Sequence, residues 1–128
     1  MKKVTALSQN QFTTKVSNNK HVIVSDEPKD IGGSDLGLRP TELLHASLAS
    51  CSSITMRMYA NRKEWDLGEI QVDVERIEND GEEPYLDKKI KIGGSMDDKQ
   101  LERLKFIASK CPIHKLLLKA IDIRTEIN

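Results

Sequence analysis

The feature that most constrains the fold is a run opening at Arg39-Pro40 and closing at Asn61-Arg62-Lys63 that carries almost no polar side of its own. Pro40 suits the first turn of a helix, where its missing N–H costs nothing, and Glu42 lies favourably near the positive end of the dipole. Leu44, Leu48, Cys51, Thr55 and Met58 then recur at steps of four, three, four and three, and Leu43, Ser47, Ser50 and Ile54 line a neighbouring stripe. A helix that is apolar or small around most of its circumference belongs at the centre of a fold. The Ala46-Ser47, Ala49-Ser50 and Ser52-Ser53 pairs keep it slim enough for another helix to approach closely, and Arg57, Arg62 and Lys63 favour its negative end.

The rest of the chain supplies what such a helix needs around it. Residues 11–25 hold two β-branched runs separated by Asn18-Asn19, and asparagine tolerates positive φ, so a β-hairpin is predicted there. Residues 26–38 have loop composition. Beyond the helix, Ile70, Val72 and Val74 alternate with polar residues, and after the Asn79-Asp80-Gly81 turn Leu86, Ile90 and Ile92 keep the same period, which predicts an antiparallel pair ended by Gly93-Gly94. Ser95 or Asp97 can cap a second helix over residues 99–110, with Leu101, Leu104, Phe106, Ile107 and Ala108 on its apolar face. Pro112 pushes Cys111 out of helical geometry and starts a further turn at Ile113. The alternation from Ala120 to Ile127 predicts a final strand. The expected order is ββ-α-ββ-α-β, a single α+β domain spanning residues 1–128 with antiparallel sheet.

Composition narrows the function classes. Twenty basic residues balance twenty acidic ones, which removes the electrostatic drive for binding nucleic acid or an anionic membrane. The start, Met-Lys-Lys-Val-Thr-Ala-Leu-Ser, has no apolar stretch after its charges, and no run approaches a membrane span, so a cytoplasmic protein is expected. Phe12, Tyr59, Trp65, Tyr85 and Phe106 are the only large rings in 128 residues, and so thin a core points to a partner subunit.

The chemistry concentrates in Cys51 and Cys111. A buried cysteine is often inert packing, but two thiols far apart in sequence, on elements whose apolar faces pack together, make reversible oxidation geometrically plausible. Burial would raise the Cys51 pKa, so as a nucleophile it needs a cation or hydrogen-bond donor, such as Arg39, Arg57 or a group from another element. His45 lies about 240° around the helix from Cys51 and reads as a packing residue. His114, three residues beyond Cys111, lacks zinc-site spacing with the remaining histidines and cysteines, and Met56 and Met58 read as core or interface filler.

The stretch Leu38-Arg39-Pro40-Thr41-Glu42-Leu43-Leu44-His45-Ala46-Ser47-Leu48-Ala49-Ser50-Cys51, followed by Cys111-Pro112-Ile113-His114-Lys115, resembles the OsmC/Ohr family of thiol-dependent peroxidases over nearly the whole chain. The resemblance implies an OsmC-like fold, with antiparallel sheets wrapped around central helices in an intertwined homodimer with active sites at the subunit interface. It implies a peroxiredoxin-like reductase of organic hydroperoxides, or hydrogen peroxide, serving the oxidative stress response. Cys51 would be the peroxidatic thiol and Cys111 the resolving thiol, joined in a disulfide that an external dithiol such as dihydrolipoamide reduces, with no metal or organic cofactor.

Two positions depart from that pattern. Thr41 stands where the family has a glutamate, moving Glu42 about 100° around the helix, and no arginine precedes Arg39. Arg39 and Glu42 are therefore the candidates for activating the thiolate, with Lys15 and Lys20 as substitutes that lack a planar fork. Two other readings compete: a non-enzymatic module that holds a hydrophobic small molecule, and a thiol redox sensor acting through a protein partner.

Overall fold

The computed structural model describes residues 3–128 and carries five strands and three α-helices among them. It resolves into two compact units, one ending at His45 and the other beginning at Ala46.

In the first unit, β1 (Thr5–Ser8), β2 (Thr14–Ser17) and β3 (Val22–Ser25) form an antiparallel sheet in that order. The β2–β3 hairpin is the one expected from the sequence. Asn19 adopts φ 72°, and the Asn18 side-chain oxygen accepts from the backbone N–H groups of Lys20 and His21 at 3.1 and 2.8 Å, closing the turn. β1 is an addition to the expected order. It is short and fully exposed, and only its pairing of Thr5 to Ser17 through Ser8 to Thr14 makes it a strand.

The loop after β3 is tied down by Asp26, which is 2% exposed. Its carboxylate accepts from the Thr13 hydroxyl at 2.8 Å and from the N–H groups of Glu27, Ser34 and Leu36. Burial alone would raise its pKa, but these four donors hold it below the ordinary 3.8. A depressed carboxylate contributes stability above its unfolded pKa and loses it as pH falls through the folded value. Asp26→Asn is therefore expected to lower the urea midpoint at pH 7, with the gap to the wild type closing below about pH 4. A gap that stays constant with pH would contradict this assignment.

α1 (Pro40–Lys63) begins in this unit and continues into the second. The second unit also holds the antiparallel pair β4 (Ile70–Ile77) and β5 (Tyr85–Ile92), then α2 (Asp98–Ala108) and α3 (Pro112–Leu117). Asp97 caps α2 through a capping box with Gln100, one of the two residues the sequence offered. The core gathers Met56, Tyr59, Ala60, Leu67, Leu104 and Ala108. Gly94 is required where it stands, because a Cβ there would collide with the backbone carbonyl of Asp66; its N–H instead donates to Leu67 O at 2.7 Å.

Two expectations need correction. The segment 120–128 forms no strand among the described residues, and Ile121, Ile123 and Ile127 are 55%, 81% and 96% exposed. Alternation sets which side chains share a face, but a strand also needs pairing with an edge, and among the described residues that segment pairs with none. The apolar girth of α1 is likewise only half used: Leu48, Ser52, Met56, Tyr59 and Ala60 are buried, whereas Leu44, Ile54 and Met58 remain 46%, 59% and 57% exposed.

Candidate active site

Three elements of the second unit converge on the sulfurs. Cys51 lies on α1, half-buried, and Ser52 follows it, fully buried. Cys111 lies between α2 and α3, fully buried, with φ −64° and ψ 145°, the extended geometry that Pro112 imposes. Its sulfur caps α3, accepting the His114 N–H at 3.3 Å. β5 brings in Lys88.

Both cysteines are free thiols, and each shifts the ionisation of the other. Burial pushes the Cys51 thiol up, and the adjacent Cys111 pushes it further; the Ile113 N–H and the Thr55 hydroxyl offset part of this. Cys111 moves the other way. Burial opposes its ionisation, yet the Ser52 hydroxyl, the His114 N–H, the Cys51 thiol and the Lys88 charge together hold it below its ordinary value. The surroundings thus favour ionisation at Cys111 over Cys51.

Lys88 is a site residue that the sequence motifs do not single out, although a signal exists. It falls in step with Leu86, Ile90 and Ile92, the inward positions of β5, and pairs with inward Val74 of β4. Its ammonium donates to Ser52 Oγ at 2.9 Å and Ala108 O at 3.2 Å, and lies 2.9 Å from His114 Nδ1. Burial lowers its pKa, while the two cysteines oppose that shift. His114 is lowered too, by burial first and then by Lys88 and Lys110, so it stands neutral with Nδ1 free to accept.

Arg39 and Glu42 are engaged at the start of α1. The Arg39 guanidinium pairs with Glu27 at 3.0 Å, and the Glu42 carboxylate accepts the Arg39 N–H at 2.9 Å. No cluster of three or more metal-ligating side chains occurs among the described residues.

An apolar pocket of about 380 Å³ opens beside this cluster, lined by Leu48, Tyr85, Leu86, Leu117, Lys88 and His114. It joins an apolar wall to the two polar groups that attend the sulfurs.

The model of the OsmC-like protein family matches residues 32–126, a span that takes in both cysteines and Lys88. The chain belongs to this family. Among solved structures, it is similar to a protein from Psychrobacter arcticus 273-4 described as an osmotic stress induced and detoxification response protein, at 25% identity and TM-score 0.77, covering 91% of this chain and 88% of that one. An OsmC-like protein from Mycoplasma pneumoniae superposes with TM-score 0.70 at 20% identity, covering 92% and 87% of the two chains. The organic hydroperoxide resistance protein OsmC of Legionella pneumophila gives TM-score 0.63 at 18% identity, covering 91% and 88%. No functionally curated protein matches. The OsmC-like fold, α+β with antiparallel sheets, is therefore the fold of this chain. No helix is long and apolar enough to cross a membrane among the described residues.

Proposed function

We propose that this OsmC-like protein is a thiol-dependent peroxidase that reduces organic hydroperoxides through Cys51 and Cys111. The observation that carries the reading is that two free thiols from positions sixty residues apart meet in one place, where Ser52, the residue after Cys51, lies 3.6 Å from the Cys111 sulfur. Cys51 is the more accessible of the two, so an incoming hydroperoxide meets it first, whereas Cys111 is 0% exposed. The Cys51 sulfur attacks the terminal oxygen, the O–O bond breaks, and the thiol proton ends on the departing alkoxide as alcohol. Cys51 is left as a sulfenic acid beside Cys111, which condenses with it to a disulfide and releases water.

The apolar pocket favours an organic hydroperoxide over hydrogen peroxide, since Leu48, Leu86 and Leu117 can take a hydrocarbon group. The hydroperoxide-resistance role of the Legionella relative agrees with this substrate class. An external dithiol, dihydrolipoamide being one of suitable chemistry, returns the disulfide to thiols. The expected result is rapid consumption of cumene hydroperoxide by the protein with dihydrolipoamide; a rate equal to that of the dithiol alone would reject the reading.

The working assembly in this proposal is a cytoplasmic homodimer of single-domain chains. Exposed Leu44, Ile54 and Met58 on α1, together with the unpaired alternation of residues 120–127, are surfaces that a second copy would cover. Sedimentation is expected to find a species of twice 14.5 kDa, and a concentration-independent monomer would contradict it.

A further inference from the structure

We propose that Lys88, acting through the Ser52 hydroxyl, is a positioning residue that holds Cys111 as a thiolate for the disulfide-forming step. This rests on the peroxidase reading but concerns only its second half.

A lysine ammonium has three N–H groups and no lone pair, and Lys88 has three partners within reach, namely Ser52 Oγ, Ala108 O and His114 Nδ1. Every donor is used, which is how a half-buried ammonium keeps its charge. Ser52 Oγ must accept from Lys88, so the hydroxyl keeps its own hydrogen for another acceptor. Cys111 Sγ, 3.6 Å away, is that acceptor. The same sulfur also accepts the His114 N–H at 3.3 Å.

A sulfur within reach of the His114 N–H and of a serine hydroxyl that is itself aligned on an ammonium is arranged for the anion. The titratable and charged groups facing it are Cys51 from α1, Lys88 from β5, His114 from α3 and, beyond His114, Lys110. Burial first, and then the same lysine, disfavour the charged form of His114, so Lys88 carries the positive charge next to the sulfurs.

The chemistry balances. The Cys111 thiolate attacks the Cys51 sulfenic sulfur, its electron pair forms the S–S bond, and the S–O bond breaks with its pair on oxygen. The Cys111 sulfur is oxidised and the sulfenic sulfur reduced, both to the disulfide level. The departing hydroxide leaves as water after taking a proton, for which the Lys88 ammonium is a donor in the same chamber; solvent returns that proton to Lys88.

The test uses Lys88→Gln and Ser52→Ala in the full chain, each also in a Cys51→Ser background. Ultraviolet thiolate absorbance in that background should show Cys111 ionising at higher pH in both variants. In rapid mixing with cumene hydroperoxide at neutral pH, disulfide formation should slow about ten-fold more than dimedone-trapped sulfenic acid formation, as a ten-fold smaller thiolate fraction requires. The pH at which disulfide formation reaches half its maximum should also rise. An unchanged Cys111 titration and an unchanged pH profile would overturn the proposal even if the protein consumes hydroperoxide. Absence of both sulfenic acid and the Cys51–Cys111 disulfide after hydroperoxide is added to the wild type would instead overturn the peroxidase reading, and the titration would still decide the role of Lys88. If Lys88→Gln does not fold, Ser52→Ala, which removes one oxygen, decides the question by itself.

Discussion

Cys51→Ser is expected to abolish hydroperoxide turnover, lowering the rate more than about a thousand-fold to that of the dithiol alone. The reaction moves an oxygen atom onto sulfur, and a serine hydroxyl can neither ionise at neutral pH nor accept that oxygen. The change is nearly isosteric at a half-buried helix position, so the fold should survive it. Measured with cumene hydroperoxide and dihydrolipoamide, a variant that keeps even a tenth of the wild-type rate would show that Cys51 is not the attacking sulfur. The role would then pass to Cys111, whose ionisation its neighbours favour but which has no exposed surface.

Cys111→Ser should behave differently in two respects. The first equivalent of hydroperoxide should still be reduced, but the sulfenic acid at Cys51 should persist and be trapped by dimedone, because the thiol that condenses with it is gone. Cys51 should also ionise at lower pH than in the wild type. Burial remains the main force pushing that thiol up, but the neighbouring sulfur adds to it, and a serine hydroxyl carries no charge to repel a second anion. The pH dependence of alkylation at Cys51 measures this. A shift towards higher pH would mean that Cys111 stabilises the Cys51 thiolate, the reverse of the electrostatics described here.

Much of the fold is legible in periodicity. The α1 helix with proline at its start, the hairpin closed by Asn18-Asn19, the β4–β5 pair and the break at Cys111-Pro112 are all set by neighbours a few residues apart. β1 and the segment 120–128 depart from expectation for the converse reason. Strand formation depends on an edge supplied from elsewhere, which β1 finds in β2 and the last residues do not find within the described chain. The two sulfurs are legible as a pair, and their contact depends on packing of α1 against the α2–α3 turn.

Lys88 shows where pattern reading runs out. Its parity with Leu86 and Ile90 marks it as inward, but its acceptors Ser52, His114 and Ala108 lie 36, 26 and 20 residues away in three separate elements. Proximity in sequence points instead to Arg39, the arginine just before the helix, which is occupied by Glu27. A lysine in an otherwise apolar register is itself a prompt to look for buried acceptors.

The central claim is that two sulfurs act as one redox unit, and stoichiometric oxidation tests it most directly. One equivalent of cumene hydroperoxide added to the reduced protein, without any dithiol, should remove both free thiols and join the Cys51 and Cys111 peptides of a single chain, as read by thiol counting and mass spectrometry of the digest. Two thiols surviving an equivalent of hydroperoxide, or a crosslink between other partners, would contradict the account.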